Sequence, residues 1–241
     1  MKISVVVPAY NEAKLLPATL AALARAQMTF HHRGWNSEVI VCDNNSTDAT
    51  AELGRAAGVV VVFEPVNQIG RARNTGAAAA TGDWLIFVDA DSEPSPELFA
   101  AVADLIAGGR VVAGGALIAL DQGPPWATVV AEGWALWSRL ARHMAGAFIF
   151  VETAAFRELG GFSNQLFAGE ELELSQRLKA LARRRGKTVQ ILARPRLRTS
   201  ARKARLYTPR EALRFLVRAV FRPKKTLSNR DECTLWYDGR R

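Results

Sequence analysis

Asp89 and Asp91 stand two residues apart at the end of the apolar run WLIFVDADS, with Ala90 between them. Side chains alternate along extended backbone, so a strand ending this way turns both carboxylates to one side. Such a pair suits a hard cation, Mg2+ or Mn2+, that takes one or two carboxylates and completes its shell with substrate phosphates. A second acidic group, Glu170 and Glu171 with Glu173 close behind, follows Gly169 where a helical pattern begins. A carboxylate there is a candidate general base for taking the proton of an attacking hydroxyl. Each feature also has a plainer reading. Aspartate commonly follows strands, and acidic residues at a helix start complement the macrodipole.

Groups so far apart in sequence need a frame to bring them together. The first half alternates β-branched runs (ISVVVPAY, SEVIVCDN, VVVVFEP, DWLIFVDAD) with Ala/Leu-rich helical stretches (LLPATLAALARAQ, TDATAELGRAAG, IGRARNTGAAAATG). Nearly continuous apolar strands separated by helices predict a doubly wound α/β fold, a mostly parallel sheet with helices on both faces. In such sheets ligands bind beyond the carboxyl ends of the strands. That rule gathers Pro8 to Glu12, Asp43 to Ser46, Glu64 to Asn67 and Asp89 to Asp91 onto one rim. The second half predicts a strand in RVVAGGALIAL, a helix in PWATVVAEGWALWSRLARHM, a strand with a short helix and turn in GAFIFVETAAFRELGGF, and a helix from EELELSQRLKALARRRG.

The net charge of +9 is uneven: from Arg194 onward 15 Lys+Arg face 4 Asp+Glu, giving +11 and leaving −2 for residues 1–193. This asymmetry sets the expected organisation. Residues 1–193 are expected to form one domain, with halves meeting at about 92/93, and 194–241 a basic extension. Within the extension Arg210, Arg214, Arg218 and Arg222 recur every four residues, with Leu213, Leu216, Val217 and Val220 as an opposing apolar stripe. A basic amphipathic helix of this kind suits an anionic membrane surface, or packs on the domain. Cys42 and Cys233 make neither a disulfide framework nor a zinc spacing, and His31, His32 and His143 do not converge with them. No window approaches a membrane span and the first residues read as a strand, so a cytoplasmic protein is expected, docking peripherally on the inner membrane face if the helix binds lipid.

Four segments in order, VVVPAYNE, VIVCDNNSTDAT, NQIGRARNTGAAAATGDWLIFVDAD and GGFSNQLFAGEELELSQRLK, closely resemble the family 2 glycosyltransferases of GT-A fold, from about Ile3 to about Lys187. The resemblance implies inverting, metal-dependent transfer of a sugar from a nucleotide-diphosphate donor, a UDP-sugar ahead of a GDP-sugar, to an acceptor hydroxyl. It implies that Pro8, Ala9, Tyr10, Asn11, Glu12 and Asp43, with Asn67, hold base and ribose. Arg71 and Arg73 lie on the diphosphate side, and Asn74 and Gly76 shape the turn there. Asp89 and Ala90 complete the nucleotide pocket, Asp91 leads the metal ligands with Asp89 beside it, and Mg2+ or Mn2+ is the cofactor.

Family members commonly carry Glu-Asp, the second residue being the base, where this chain has Glu-Glu; position selects Glu171 and leaves Glu170 as the alternative. No Gln-x-x-Arg-Trp segment follows the acidic pair, so a single-addition enzyme is expected rather than a processive synthase. No histidine follows His143, and RTSARKAR lies where relatives have a mobile loop, its arginines able to meet the diphosphate. Trp126, Trp134 and Trp137 are either core or an acceptor-side surface for a sugar or a lipid-linked glycan. The competing function is a non-catalytic nucleotide-sugar or polyanion-binding protein using the basic tail. Nucleic acid is not the expected partner. A nucleotidyltransferase is disfavoured because PAYNEAKLL replaces the Gly-rich phosphate loop after the first strand.

Overall fold

The computed structural model describes residues 1–121, 123–238 and 240. Its first six elements are β1 (Lys2–Ala9), α1 (Leu16–His31), β2 (Asn36–Asp43), α2 (Thr50–Ala56), β3 (Val60–Phe63) and α3 (Ile69–Ala79). The chain continues through β4 (Trp84–Val88), β5 (Ser92–Glu93), α4 (Pro96–Ala107), β6 (Val111–Asp121) and α5 (Pro125–Ala141). Next come β7 (Phe148–Glu152), α6 (Thr153–Glu158), α7 (Glu170–Arg184) and β8 (Thr188–Ser200). The tail holds α8 (Arg202–Leu206), α9 (Pro209–Phe221), α10 (Pro223–Leu227), a 3-10 turn at Arg230–Glu232 and α11 (Thr234–Tyr237).

One sheet carries all eight strands in the order β3-β2-β1-β4-β7-β6-β8-β5. β1 pairs in parallel with β2 and β4, β2 with β3, and β6 with β8; β7 runs antiparallel between β4 and β6. Alternation along the central strands feeds two cores. Ile3, Val5, Val7, Trp84, Ile86 and Val88 face one side, where α1 and α4 pack through residues such as Leu23, Phe30 and Phe99. Val6, Leu85 and Phe87 face the other, against Ala77 of α3, Phe156 of α6 and Leu174, Leu178 and Leu181 of α7. Burying each large apolar side chain contributes about 1.5–3 kcal/mol, and this two-sided burial is why the strands read as unbroken apolar runs.

Local chemistry sets the ends of the elements. Ser95 accepts from the Leu98 N–H at 3.2 Å and Pro96 opens α4, a favoured helix start. α3 lies so close to β1 that a Cβ on Gly76 would fall 2.4 Å from Val6 Cγ1. Gly76 therefore serves helix–sheet packing, not the turn it was expected to shape. β8 runs through 188–200 and pairs antiparallel with β5, so the boundary expected at 193/194 falls inside a strand. Cys42 and Cys233 are free thiols, each with no exposed surface. No helix among the described residues is long and apolar enough to cross a membrane.

α9 has three faces. A capping box between Thr208 and Glu211 starts it. Ala212, Phe215 and Ala219 are half-buried and Phe215 meets Trp236 edge-on, ring centroids 5.2 Å apart. Leu213, Leu216, Val217, Val220 and Phe221 remain exposed, Phe221 by 78%. Arg210, Arg214 and Arg218 lie along an exposed flank of that apolar face, and Arg222 is at the C-cap.

Candidate active site

The rim at the carboxyl ends of β1, β2 and β4 holds a cavity. Pro8 and Ala9 line it from the end of β1, Tyr10 and Glu12 from the loop that follows, Asn44 from just after β2, Asn67 from just before α3 and Ile69 from its first turn. Asp89, Ala90 and Asp91 enter from the loop after β4. That strand ends at Val88, so the acidic pair sits in a turn closed by the Ser92 N–H donating to the Asp89 carbonyl at 3.1 Å. A turn, not strand alternation, brings both carboxylates to the cavity. This corrects the geometric expectation while keeping the residues together.

The surrounding loops are held by side chains. Asn11 adopts φ 51°; its side-chain oxygen accepts from the Thr47 N–H at 2.8 Å, and its own N–H donates to Ser46 Oγ at 2.9 Å. Asp43 is 6% exposed and accepts from the Ser46 N–H at 3.1 Å. Asp48 accepts from Ala13 and Thr50, a supporting role for the loop and α2. Asn44, which the strand-end rule places on the rim without a role, donates to the carbonyls of Glu64 and Val66 and accepts from Gln68, fixing the loop that carries Asn67. Its place inside DNNSTD was the available signal.

The two basic residues of RARN part company. Arg71 is half-exposed and pairs with Glu64 at 3.4 Å. Arg73, expected beside the diphosphate, is 1% exposed. It donates to Asp89 Oδ1 at 3.0 Å, Glu170 Oε1 at 2.6 Å and the Gly146 carbonyl at 2.8 Å. Its Nε is buried with no hydrogen-bond partner among the described residues. Burial opposes its charge, but Asp89, Glu170 and Glu171 hold its pKa raised. Asn74 grips the Gly161–Asn164 turn, accepting from the Phe162 N–H and donating to the Phe162 carbonyl, each at 2.9 Å.

The acidic helix starts at Gly169, whose φ of 76° an L side chain rarely adopts. Glu170 is 3% exposed and tied to Arg73; burial raises its pKa against the opposing pull of that guanidinium. The Glu171 carboxyl accepts from its own backbone N–H. Glu171 is half-buried, and desolvation, with the charge of Glu170 next to it, pushes its carboxyl up to about 8. Neither glutamate lines the cavity; Arg73 and Asp89 connect them to it.

Two contributions come from the tail. Arg202 makes a bidentate pair with Glu12, Nη1 at 2.9 Å and Nη2 at 2.5 Å, and lies 3.9 Å from Asp91 Oδ2. Trp236 and Tyr237 line the cavity beside Tyr10. Nothing in their local sequence signals that position. Trp126 and Trp134 are half-buried and Trp137 is exposed on α5; none of the three lines this cavity.

The glycosyl transferase family 2 model matches residues 4–156. The chain belongs to that family. An uncharacterised glycosyltransferase of Mycobacterium tuberculosis is 34% identical over 142 residues, covering 58% of this chain and 61% of that protein. Validoxylamine A glucosyltransferase of Streptomyces hygroscopicus is 29% identical over 220 residues, 74% of this chain and 51% of that one. The chain thus spans about three fifths of the length of the mycobacterial relative. Among solved structures, S. aureus TarS 1–349 in complex with UDP-GlcNAc superposes with TM-score 0.65 at 22% identity, covering 98% of this chain and 69% of that one. The mannosyltransferase PcManGT of Pyrobaculum calidifontis, with GDP-Man and Mn2+, superposes with TM-score 0.66 at 20% identity, covering 88% and 59%. These likenesses establish the GT-A fold for this family 2 chain.

Proposed function

We propose that this protein is a non-processive, inverting glycosyltransferase that moves one sugar from a nucleotide-diphosphate sugar, a UDP-sugar ahead of a GDP-sugar, to an acceptor hydroxyl. The observation that carries the reading is the junction at Arg73, where one guanidinium holds both Asp89 at the cavity and Glu170 next to Glu171. Nucleotide side and acidic helix are thereby fixed relative to each other. Base and ribose fall to the loop Pro8–Glu12, to Asn67 and to Asp89, with Asn11 and Asp43 shaping the walls and Arg71 nearby. Carboxylates accept from nucleobase N–H groups and ribose hydroxyls.

Asp91 with Asp89 would hold Mg2+ or Mn2+. Two carboxylates fit such an ion when substrate phosphates complete its shell, and among the described residues no group of three or more His, Cys, Asp or Glu is placed to hold it alone. When bound it supplies Lewis-acid stabilisation of the leaving diphosphate. Glu171 takes the proton from the acceptor hydroxyl as its oxygen forms the new bond to the anomeric carbon and the bond to the diphosphate breaks. Its raised pKa favours it over Glu170, whose carboxylate is committed to Arg73.

A panel of nucleotide sugars with Mg2+ or Mn2+, read by thermal shift and by donor hydrolysis, tests the assignment. Asp91→Asn loses metal-dependent donor binding, whereas Glu171→Gln keeps binding and loses transfer. Retained transfer in both variants overturns the roles, and donor binding without turnover by the wild type selects the non-catalytic alternative.

The acceptor in this proposal is lipid-linked or a cell-envelope glycan, reached by docking on an anionic bilayer through α9. Its outward face sets exposed Leu213, Leu216, Val217, Val220 and Phe221 beside the arginine flank. Apolar insertion with flanking cations is how interfacial helices bind, each Arg adding about 1 kcal/mol. Co-sedimentation with phosphatidylserine vesicles at low salt is the check. Changing Arg210, Arg214, Arg218 and Arg222 to Gln weakens it by about 100-fold or more; unchanged sedimentation removes the membrane idea.

A further inference from the structure

The last residues of the chain return to the donor cavity through a series of specific contacts. The Phe167 N–H donates to the Leu227 carbonyl at 2.7 Å, joining α10 to the loop before the acidic helix. Thr226 and Cys233 have no exposed surface, and Thr226 Oγ1 donates to Glu232 at 2.9 Å. The Tyr207 hydroxyl reaches the Asp238 carboxylate at 2.6 Å. This bonding delivers Trp236 and Tyr237 to the cavity, where they line it together with Tyr10, Asn67, Ile69 and the two aspartates.

Resting on the nucleotide-sugar reading above, we propose that Trp236 and Tyr237 form an aromatic wall for the nucleobase of the donor and so set its position and affinity. The division of labour follows from chemistry. Asp89 and Asp91 suit the metal-bound diphosphate and ribose hydroxyls, which an indole cannot serve. A flat heteroaromatic base is matched by aromatic faces, and stacking on one ring raises affinity by about 5- to 150-fold.

The wall is held from both sides. The Ile69 N–H, one of the first-turn donors that α3 cannot satisfy internally, donates to the Tyr237 hydroxyl at 3.2 Å. Phe167 meets the Tyr237 ring edge-on at 5.5 Å, and Phe215 of α9 meets Trp236 at 5.2 Å. Tyr237 is thus the pin that docks the wall on α3, and Trp236 lines the cavity beside it. Since Phe215 lies on the helix whose outer face is apolar, the wall is joined to the surface assigned above to the bilayer.

The test is a fluorescence titration of the full chain with UDP, GDP and inorganic pyrophosphate in Mg2+. UDP quenches wild-type tryptophan emission. Trp236→Phe binds UDP within about threefold of wild type and loses most of the quench. Trp236→Ala weakens UDP by about tenfold while pyrophosphate is unchanged. Tyr237→Phe, without the pin, weakens UDP a few-fold. Unaltered or tighter UDP binding by Trp236→Ala overturns the wall, as does equal loss of UDP and pyrophosphate, which marks a purely structural residue. Failure of the wild type to bind any of the three probes sinks the donor reading itself, an outcome separate from both.

Discussion

Two arginines grip carboxylates on either side of the acidic pair, and they do so in different surroundings. Arg73, on α3, is enclosed by the sheet, the Gly146 carbonyl, Asp89, Glu170 and the face of Phe162, 5.3 Å from its guanidinium carbon to the ring centroid. Arg202, at the start of α8, holds Glu12 bidentately and keeps 19% of its side chain exposed. In the first pair of contacts the Arg73–Glu170 bond is closed off from water, where an unmatched charge is costly and the attraction is strong, while Asp89 lines the cavity with 25% of its side chain exposed. The second borders solvent, where pairing is weaker and screened. A junction of the first kind fixes distance; a clamp of the second kind can be exchanged for another anion.

The sharpest way to break this contrast is to remove each arginine. Arg73→Ala leaves Glu170 buried without its counter-charge and Asp89 unpaired from it at the cavity, and is expected to lose about 3–5 kcal/mol in urea unfolding. A loss under 1 kcal/mol would show that the junction is not the closed one described.

A second experiment turns to the neighbour. With Glu171 at about 8 and acting as the proposed base, transfer is expected to rise with pH through that value, about a tenth of the carboxyl being deprotonated at pH 7. Burial and then the charge of Glu170 raise it, so Glu170→Gln shifts the pH–rate inflection to lower pH and raises the fraction of active base at pH 7 by at most about tenfold. Complete loss of transfer in that variant makes Glu170 the base instead. The smallest effect belongs to the clamp: Arg202→Ala costs about 1 kcal/mol in the same unfolding assay. Equal losses for Arg73→Ala and Arg202→Ala erase the distinction.

Much of this arrangement was legible because it follows from periodicity. The two-sided strands show as VVVP and WLIFV, and the strand-end rule placed PAYNE, Asn67 and DAD on one rim. The burial of Arg73 was also within reach: Arg71 and Arg73 are two apart on a helix, so they point to different faces and one had to turn inward. What was not legible depends on long-range closure. Arg202 and Glu12 are 190 residues apart, and Ile69 and Tyr237 are 168 apart. No local pattern encodes either pairing. The turn at Asp89–Asp91 was mistaken for strand because the apolar run gives no sign that pairing stops at Val88.

The two cysteines give this divided molecule a pair of internal clocks. Cys42 lies on β2, one strand in from the edge of the sheet, and Cys233 in the returning tail, and burial pushes each thiol up to about 12. Both are therefore silent toward an alkylating reagent until their surroundings open. Labelling of Cys233 ahead of Cys42 times the lifting of the tail, and simultaneous labelling times the melting of the whole, so one reagent and one mass spectrum separate the two events.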